Sequence, residues 1–307
     1  MLVARTTTEW RLRTRGLALG ARTLVMGVVN ITPDSFSDGG TSFAPNDAIA
    51  RALQCLDDGA DILDLGGEST RPGSRAGGDD AAVSAEEEQA RLLPVIEGVL
   101  KARPHAVISA DTYKAATARA ALDAGAEIVN DVSGFTWDAE MPRVCNEFRV
   151  GVVLAHTRGR PDEWRTQERL APDAVLSMVR YGLAASLEIA RRAGMAQDAV
   201  VLDPGYGFGK RFGENYSLLA RQNELLALGR PLLAGLSRKS FLGRTLASLH
   251  GGMTAPVDAR ESASVAAMVA AILQGASIVR VHAVRPAVEA ARIADAVMQA
   301  AHSSTEN

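Results

Sequence analysis

Short apolar runs in this 307-residue chain repeatedly stop at groups that hydrogen-bond strongly. The run 24–29 stops at Asn30, and 61–67 leads into Glu68, Ser69, Thr70 and Arg71. Later runs reach Asp111, the pair Asn130-Asp131, His156, Asp203, the triplet Ser237-Arg238-Lys239, and finally Arg280 and His282. One polar residue at a strand end is usually a turn former or a helix cap. Eight such endings in one chain point to strands aimed at a shared polar cavity. Asp111, Asn130 and Asp203 supply acceptors, which suits a planar heterocycle carrying several N–H donors. Arg71, Arg280, His282 and Lys239 supply positive charge, which suits a phosphate or pyrophosphate. The ligand these residues imply has a nitrogen-rich ring at one end and phosphate at the other. His156 reads as structural and Asp131 as a loop brace.

The elements that must hold these residues can be read from periodicity. The runs 23–29, 61–67, 105–111, 127–132, 150–156, 199–205, 231–237 and 277–283 are nearly continuous in Val, Ile and Leu. That pattern suits strands buried on both faces, as in a parallel sheet. Helical stretches separate them. Ser84 and Glu87 have capping-box spacing ahead of one, and Gly125 is placed to end another. The stretches "ENYSLLARQNELLALG" and "ARESASVAAMVAAILQGA" repeat apolar residues at threes and fours. Eight strand–helix units predict a (β/α)8 TIM barrel of the α/β class, with active-site residues at the C-terminal strand ends. A doubly wound open sheet would more often use five or six strands. Residues 1–22 read as an N-terminal β-hairpin closing the barrel bottom, 23–302 as the barrel in a single domain, and 303–307 as a frayed tail. The Gly-, Asp- and Ser-rich stretch 71–84 reads as a loop after the second strand.

Bulk properties exclude several classes. A formal net charge of −3 gives no field for nucleic acid or a membrane surface, so any anion must be held by a local cluster of cations. The two cysteines, Cys55 and Cys145, form no metal spacing or disulfide framework, which fits a reducing compartment. With no signal-like N-terminus and no membrane-length apolar run, the expectation is a cytoplasmic protein. The "GYGFGK" stretch is not a phosphate-binding P-loop: Pro204 stands where its first glycine belongs, and Arg211 follows Lys210 where Ser or Thr is needed. Its glycines read instead as allowing close approach to a ligand.

Seven segments, "MGVVNITPDSFSDGG", "DLGGESTRPG", "SADTYK", "EIVNDVSG", "LDPGYGFGK", "GLSRKSFLG" and "RVHAV", together resemble the dihydropteroate synthase family, pterin-binding TIM barrels of the folate pathway and the target of sulfonamides. The resemblance runs from about residue 10 to about residue 300, in the family's order and spacing. It implies condensation of 6-hydroxymethyl-7,8-dihydropterin pyrophosphate with p-aminobenzoate, with Mg2+, to give 7,8-dihydropteroate and pyrophosphate. It implies that Asp111, Asn130, Asp203 and Lys239 bind the pterin, with Asp111, Lys239 and Arg280 central to catalysis. Asn30, Arg71, Arg280 and His282 would bind pyrophosphate, Asn30 also serving the metal. Loops with Asp34, Phe36 and Ser37, and with Thr70, Arg71 and Pro72, would close over the substrates, while Phe208 and Ser237 line the aminobenzoate pocket. A homodimer through helices such as the Ala-rich stretch 262–274 is implied as well. The chain departs from the family at Ala283, where an Asp is usual, and at Ala155 and Thr157, where methionines usually flank His156. Two other readings share the ring-binding residues. One is a pterin-dependent methyltransferase barrel, which needs no pyrophosphate or aminobenzoate loops. The other is a non-catalytic pterin-binding paralogue, to which Ala283 gives an opening and the intact Asn30, Arg71, Lys239 and Arg280 do not.

Overall fold

The computed structural model describes residues 2–32, 45–70, 73–77 and 83–303. It begins with an antiparallel hairpin, β1 (Thr8–Arg11) and β2 (Gly16–Leu19). The eight apolar runs then all form strands: β3 (Leu24–Asn30), β4 (Ile62–Gly66), β5 (Ile108–Asp111), β6 (Ile128–Asp131), β7 (Gly151–Ala155), β8 (Val200–Asp203), β9 (Leu232–Ala234) and β10 (Ala276–Val281). Each is parallel to its neighbours, and β10 pairs with both β3 and β9, so the sheet closes. Parallel neighbours need a crossover, and helices supply it. These are α1 (Pro45–Asp57), α2 (Ala85–Ala102), α3 (Ala115–Asp123), α4 (Met141–Phe148), α5 (Pro172–Arg192) and α6 (Phe212–Ala220). A short α7 (Ser240–Thr245) and α8 (Glu261–Leu273) lie between β9 and β10, and α9 (Val284–Ser303) follows the last strand. The fold is the expected (β/α)8 barrel.

Strand periodicity divides the core in two. Outward residues such as Val25, Leu63, Leu65, Val129, Val152 and Leu202 pack against helix faces carrying Ala52, Leu92, Ile96 and Leu122. Inward residues of the strands' first halves, among them Met26, Ile62, Ile128, Val153, Val201, Leu233 and Ile278, form a second apolar cluster with Trp10, Leu12 and Leu19 of the hairpin segment. The Trp10 indole is buried, and its Nε1 donates to Ala199 O at 2.9 Å. Burying each large side chain there stabilises by about 1.5–3 kcal/mol. The N-terminal segment is also tied to α9. Arg5 donates to Asp295 Oδ1 at 2.6 Å, and Asp295 Oδ2 accepts from the Thr23 amide at 2.7 Å. With the lower interior filled by hydrocarbon, the polar strand ends are left for the opposite mouth.

Local signals hold with two differences. Ser84 Oγ accepts from Glu87 N at 3.1 Å, but the Glu87 carboxylate pairs with Arg91 one turn on instead of turning back to the cap. Gly125 ends α3 with φ +110, and Ala126 N closes onto Ala121 O at 2.9 Å. The stretch 214–229 is not one helix. α6 stops at Ala220, Arg221 leaves helical geometry at φ −123, ψ 16, and a 3-10 segment runs over Gln222–Leu228. The buried Gln222 accounts for the break: its Oε1 accepts from the Tyr206 hydroxyl at 2.8 Å and its Nε2 donates to Ala271 O at 3.1 Å. Among the described residues, no helix is long and apolar enough to cross a membrane. Both cysteines are buried free thiols.

Candidate active site

The strand ends surround one cavity of about 590 Å³. Asn30, Thr70, Asp111, Phe208, Ser237, Lys239, Arg280 and His282 line it. Asn130 and Asp203 lie buried on the neighbouring inward positions of β6 and β8. Asp34, Phe36, Ser37, Arg71 and Pro72 lie outside the described residues.

Register explains how the acids meet. Asn30, Gly66, Asp111 and Asn130 are successive Cα partners across β3, β4, β5 and β6, so all four face the same side of the sheet near the strands' C-terminal ends. Two residues before Gly66, on the same face of β4, stands Asp64. The sequence reading overlooked this residue, whose signal is a lone acid inside the apolar run "DILDLGG". Asp64 is 0% exposed. Its Oδ2 accepts from Arg280 Nε at 2.5 Å and from Asn130 Nδ2 at 3.1 Å. Arg280 reaches Asp111 Oδ2 with its other arm, also at 2.5 Å. The sequence suggests an acidic pole and a basic pole; the structure interleaves them, with Arg280 between two carboxylates. Burial pushes Asp111 up to about 7, with Arg280 pulling down and Asp64 pushing up. Burial works against the Arg280 charge too, but Asp64 and Asp111 outweigh it and raise its pKa.

Lys239 immediately precedes α7 and extends over Phe208, its Nζ 3.8 Å from the ring centroid. Burial lowers it to about 8, with Asp203 holding it up and Arg280 pressing it down. The preceding residue, Arg238, has φ +60. That turn is pinned by Ser264 Oγ, which accepts from Arg238 N at 2.9 Å, and by Arg260, which donates to Arg238 O at 3.0 Å. Ser237 Oγ lies 3.0 Å from His282 Nδ1, joining the ends of β9 and β10. Arg51 of α1 adds a cation that the sequence reading missed, donating to His282 O at 2.7 Å.

The loop after β8 is organised by Lys210. Its Nζ donates to the carbonyls of Gly205 at 2.7 Å, His156 at 3.1 Å and Phe208 at 3.3 Å. Burial lowers this ammonium to about 7, against support from Asp203. Gly205 sits so close to His156 O that a Cβ would fall 1.9 Å from it, and its φ is +68. Gly207 lines the cavity and leaves room for Lys239 Cδ, 3.1 Å from where its Cβ would be. The contacts that demand glycine here are thus made with protein atoms. Phe208 is backed by Trp164, with ring centroids 5.1 Å apart. His156 is buried with its pKa held well down by burial and by Lys210, in keeping with a structural role. Asp131 braces the next loop by accepting from Ser133 N at 2.8 Å and Phe135 N at 3.0 Å. At the second loop, Glu68 Oε2 takes bonds from Lys114 Nζ at 2.5 Å and Tyr113 Oη at 2.9 Å.

A pocket offering ring acceptors, a flanking lysine and a cationic rim can be set beside known proteins. Residues 26–282 match the pterin binding enzyme family. The chain belongs to that family, among the dihydropteroate synthases. It is 39% identical to the dihydropteroate synthase of Bacillus subtilis (strain 168), over 92% of this chain and 91% of that one. It is 41% identical to the Escherichia coli (strain K12) enzyme of the same name, over 90% and 92%. The structure of Xanthomonas albilineans dihydropteroate synthase with 4-aminobenzoic acid matches at TM-score 0.82 and 39% identity, covering 95% of this chain and 98% of that one. The likeness implied by the seven sequence segments therefore holds, and the chain is a transferase of the folate pathway.

Mg2+ is a hard cation that takes oxygen ligands, keeps several waters and is commonly bound with substrate phosphates. Among the described residues, no group of three His, Cys, Asp or Glu side chains could cage a metal alone. The Asn30 amide oxygen, at a strand end lining the cavity, suits the shared kind of site.

Proposed function

We propose that the cavity joins 6-hydroxymethyl-7,8-dihydropterin pyrophosphate to p-aminobenzoate, releasing pyrophosphate and 7,8-dihydropteroate. The observation that carries this reading is the gathering of Asp111, Asn130 and Asp203 around Arg280, with Lys239 and His282 at the same cavity. The path is SN1-like. Breaking the C–O bond leaves a cation conjugated with the pterin nitrogens, so no enzymic nucleophile is required. Asp111 and Asp203 carry charge that favours this cation as it forms, and Asn130 orients the ring. Arg280, His282 and Asn30 receive the leaving pyrophosphate, and Lys239 with Phe208 and Ser237 borders the aminobenzoate. Mg2+ would be held by Asn30 together with the substrate's phosphates, and it would neutralise charge on the leaving group. Exclusion of water by the first two loops, with Asp34, Phe36, Ser37, Thr70, Arg71 and Pro72, protects the cation from hydrolysis.

The same reading places the protein in the cytoplasm as a homodimer. Support for the dimer comes from an apolar groove between α6 and α8, lined by Tyr216, Leu219, Ala220, Ala270 and Leu273. The activity test is incubation of pure protein with the pterin pyrophosphate, labelled p-aminobenzoate and Mg2+. Labelled dihydropteroate, suppressed by a chelator and by a competing sulfonamide, is expected. Binding of the pterin without product would favour a non-catalytic paralogue.

A further inference from the structure

The two carboxylates that hold Arg280 are not equivalent. Asp111 lines the cavity and its side chain is 18% exposed, so a ring N–H can reach it. Asp64 lies two residues deeper on β4 than Gly66, the register partner of Asp111, and its side chain is 0% exposed. It can act on a ligand only through its partners, Arg280 and Asn130, both bound by the single oxygen Oδ2. The guanidinium is a rigid plane, so a bond to Nε at the root of the plane fixes the direction of both terminal nitrogens. An amide whose Nδ2 is committed to Asp64 must turn its Oδ1 the other way.

We propose that Asp64 is the positioning residue of this site, a permanent anchor that holds Arg280 and Asn130 from beneath while Asp111 is exchanged from Arg280 to the substrate ring. The inference rests on the pterin reading of the cavity. Without ligand, Asp111 Oδ2 accepts from Arg280. When a ring N–H takes over that oxygen, the Arg280 terminal nitrogen loses its partner and its N–H becomes available to the leaving pyrophosphate, while Nε stays on Asp64. Ring recognition and the release of Arg280 to receive the leaving pyrophosphate then become one event. Asn130, fixed by the same oxygen, presents its Oδ1 acceptor to the ring at the level of Asp111.

The test uses the Asp64→Asn variant, of nearly identical shape, whose side-chain amide cannot accept from both donors through one charged oxygen. The expected result is a fall in kcat of thirtyfold or more, with the KM for p-aminobenzoate within twofold of wild type. A second expected result is a shift of the acid limb of kcat/KM for the pterin pyrophosphate to lower pH. The charged groups facing Asp111 are Arg280, Asp64, Glu88 and Lys239, and removing the Asp64 charge removes one repulsion while Arg280 remains. A folded variant with kcat within threefold of wild type and an unmoved acid limb overturns the proposal. So does a loss that follows only the folded fraction in a thermal melt.

A measurement on wild-type protein keeps the question decidable if the variant does not fold. The Arg280 Nε–H resonance, assigned with Arg280→Lys, should be protected from solvent exchange and stay protected on saturation with the pterin pyrophosphate. Loss of that protection on binding overturns the anchor. A wild-type protein that forms no dihydropteroate defeats the functional reading, whereas the Nε–H measurement still judges Asp64.

Discussion

Replacing Asp203 with Asn preserves the shape of the site and reverses the polarity of one atom. In the wild type, Asp203 Oδ1 accepts from the Gly205 amide at 2.7 Å, while Oδ2 faces Gly235 on the cavity wall. That Gly205 N–H fixes the variant's amide: its oxygen must take the Oδ1 place, so its NH2 takes the place of Oδ2. A ring N–H that met an acceptor now meets a donor. A hydrogen bond to a charged group contributes about 1.5–3 kcal/mol, and a buried donor left unsatisfied costs about 1–3 kcal/mol more. Together they amount to about 2.5–6 kcal/mol, or roughly two to four and a half powers of ten in affinity. Losing the Asp203 charge also lowers Lys239 below its value of about 8, taking charge from a second site residue at neutral pH. Calorimetric titration with the pterin pyrophosphate, beside kcat/KM and a thermal melt, measures the effect. A fall of less than tenfold in a variant that melts like wild type would refute this reasoning.

Three further outcomes follow from the same geometry. Burial raises Asp111 to about 7, and its carboxylate is the accepting form. kcat/KM for the pterin pyrophosphate should therefore be full above that pH and fall about tenfold per unit below it; a level profile from about pH 5 to 8 contradicts the assignment. Lys210→Met removes the donor that gathers three carbonyls of the loop bearing Phe208. Steady-state kinetics should show the KM for p-aminobenzoate rising about tenfold, an effect of about 1.4 kcal/mol, with a smaller change in kcat. Trp10→Ala empties the apolar floor and should lose about 3–5 kcal/mol of stability in urea titrations, with kcat of the folded protein unchanged at 25 °C. Trp10→Phe, which keeps a ring but forfeits the bond to Ala199 O, should lose about 1 kcal/mol.

The barrel was legible because its signal is repeated. Eight Val- and Ile-rich runs, each buried on both faces, leave little else for the chain to form, and every one became a strand. The rim was legible for a related reason: a polar residue ending such a run has nowhere to point but the mouth. Asp64 was not, because one acid within an apolar run has no period, and its partner Arg280 is 216 residues away. The break at Arg221 was hidden likewise, since Gln222 earns its place through contacts to Tyr206 and Ala271 that no local window contains. Lys210 was visible as a residue but not as an organiser, because its partners are carbonyls, which every residue has.

The ties among Arg5, Thr23 and Asp295 have a practical consequence. They fasten the start of the chain to its last helix on the side where the strands begin, and α9 continues from Asp295 to Ser303 away from the substrate entrance. A fusion partner, affinity handle or tether joined at either end would project from the floor of the barrel. Such a protein could be captured on a sensor surface by its N- or C-terminal extension with the entrance facing solution.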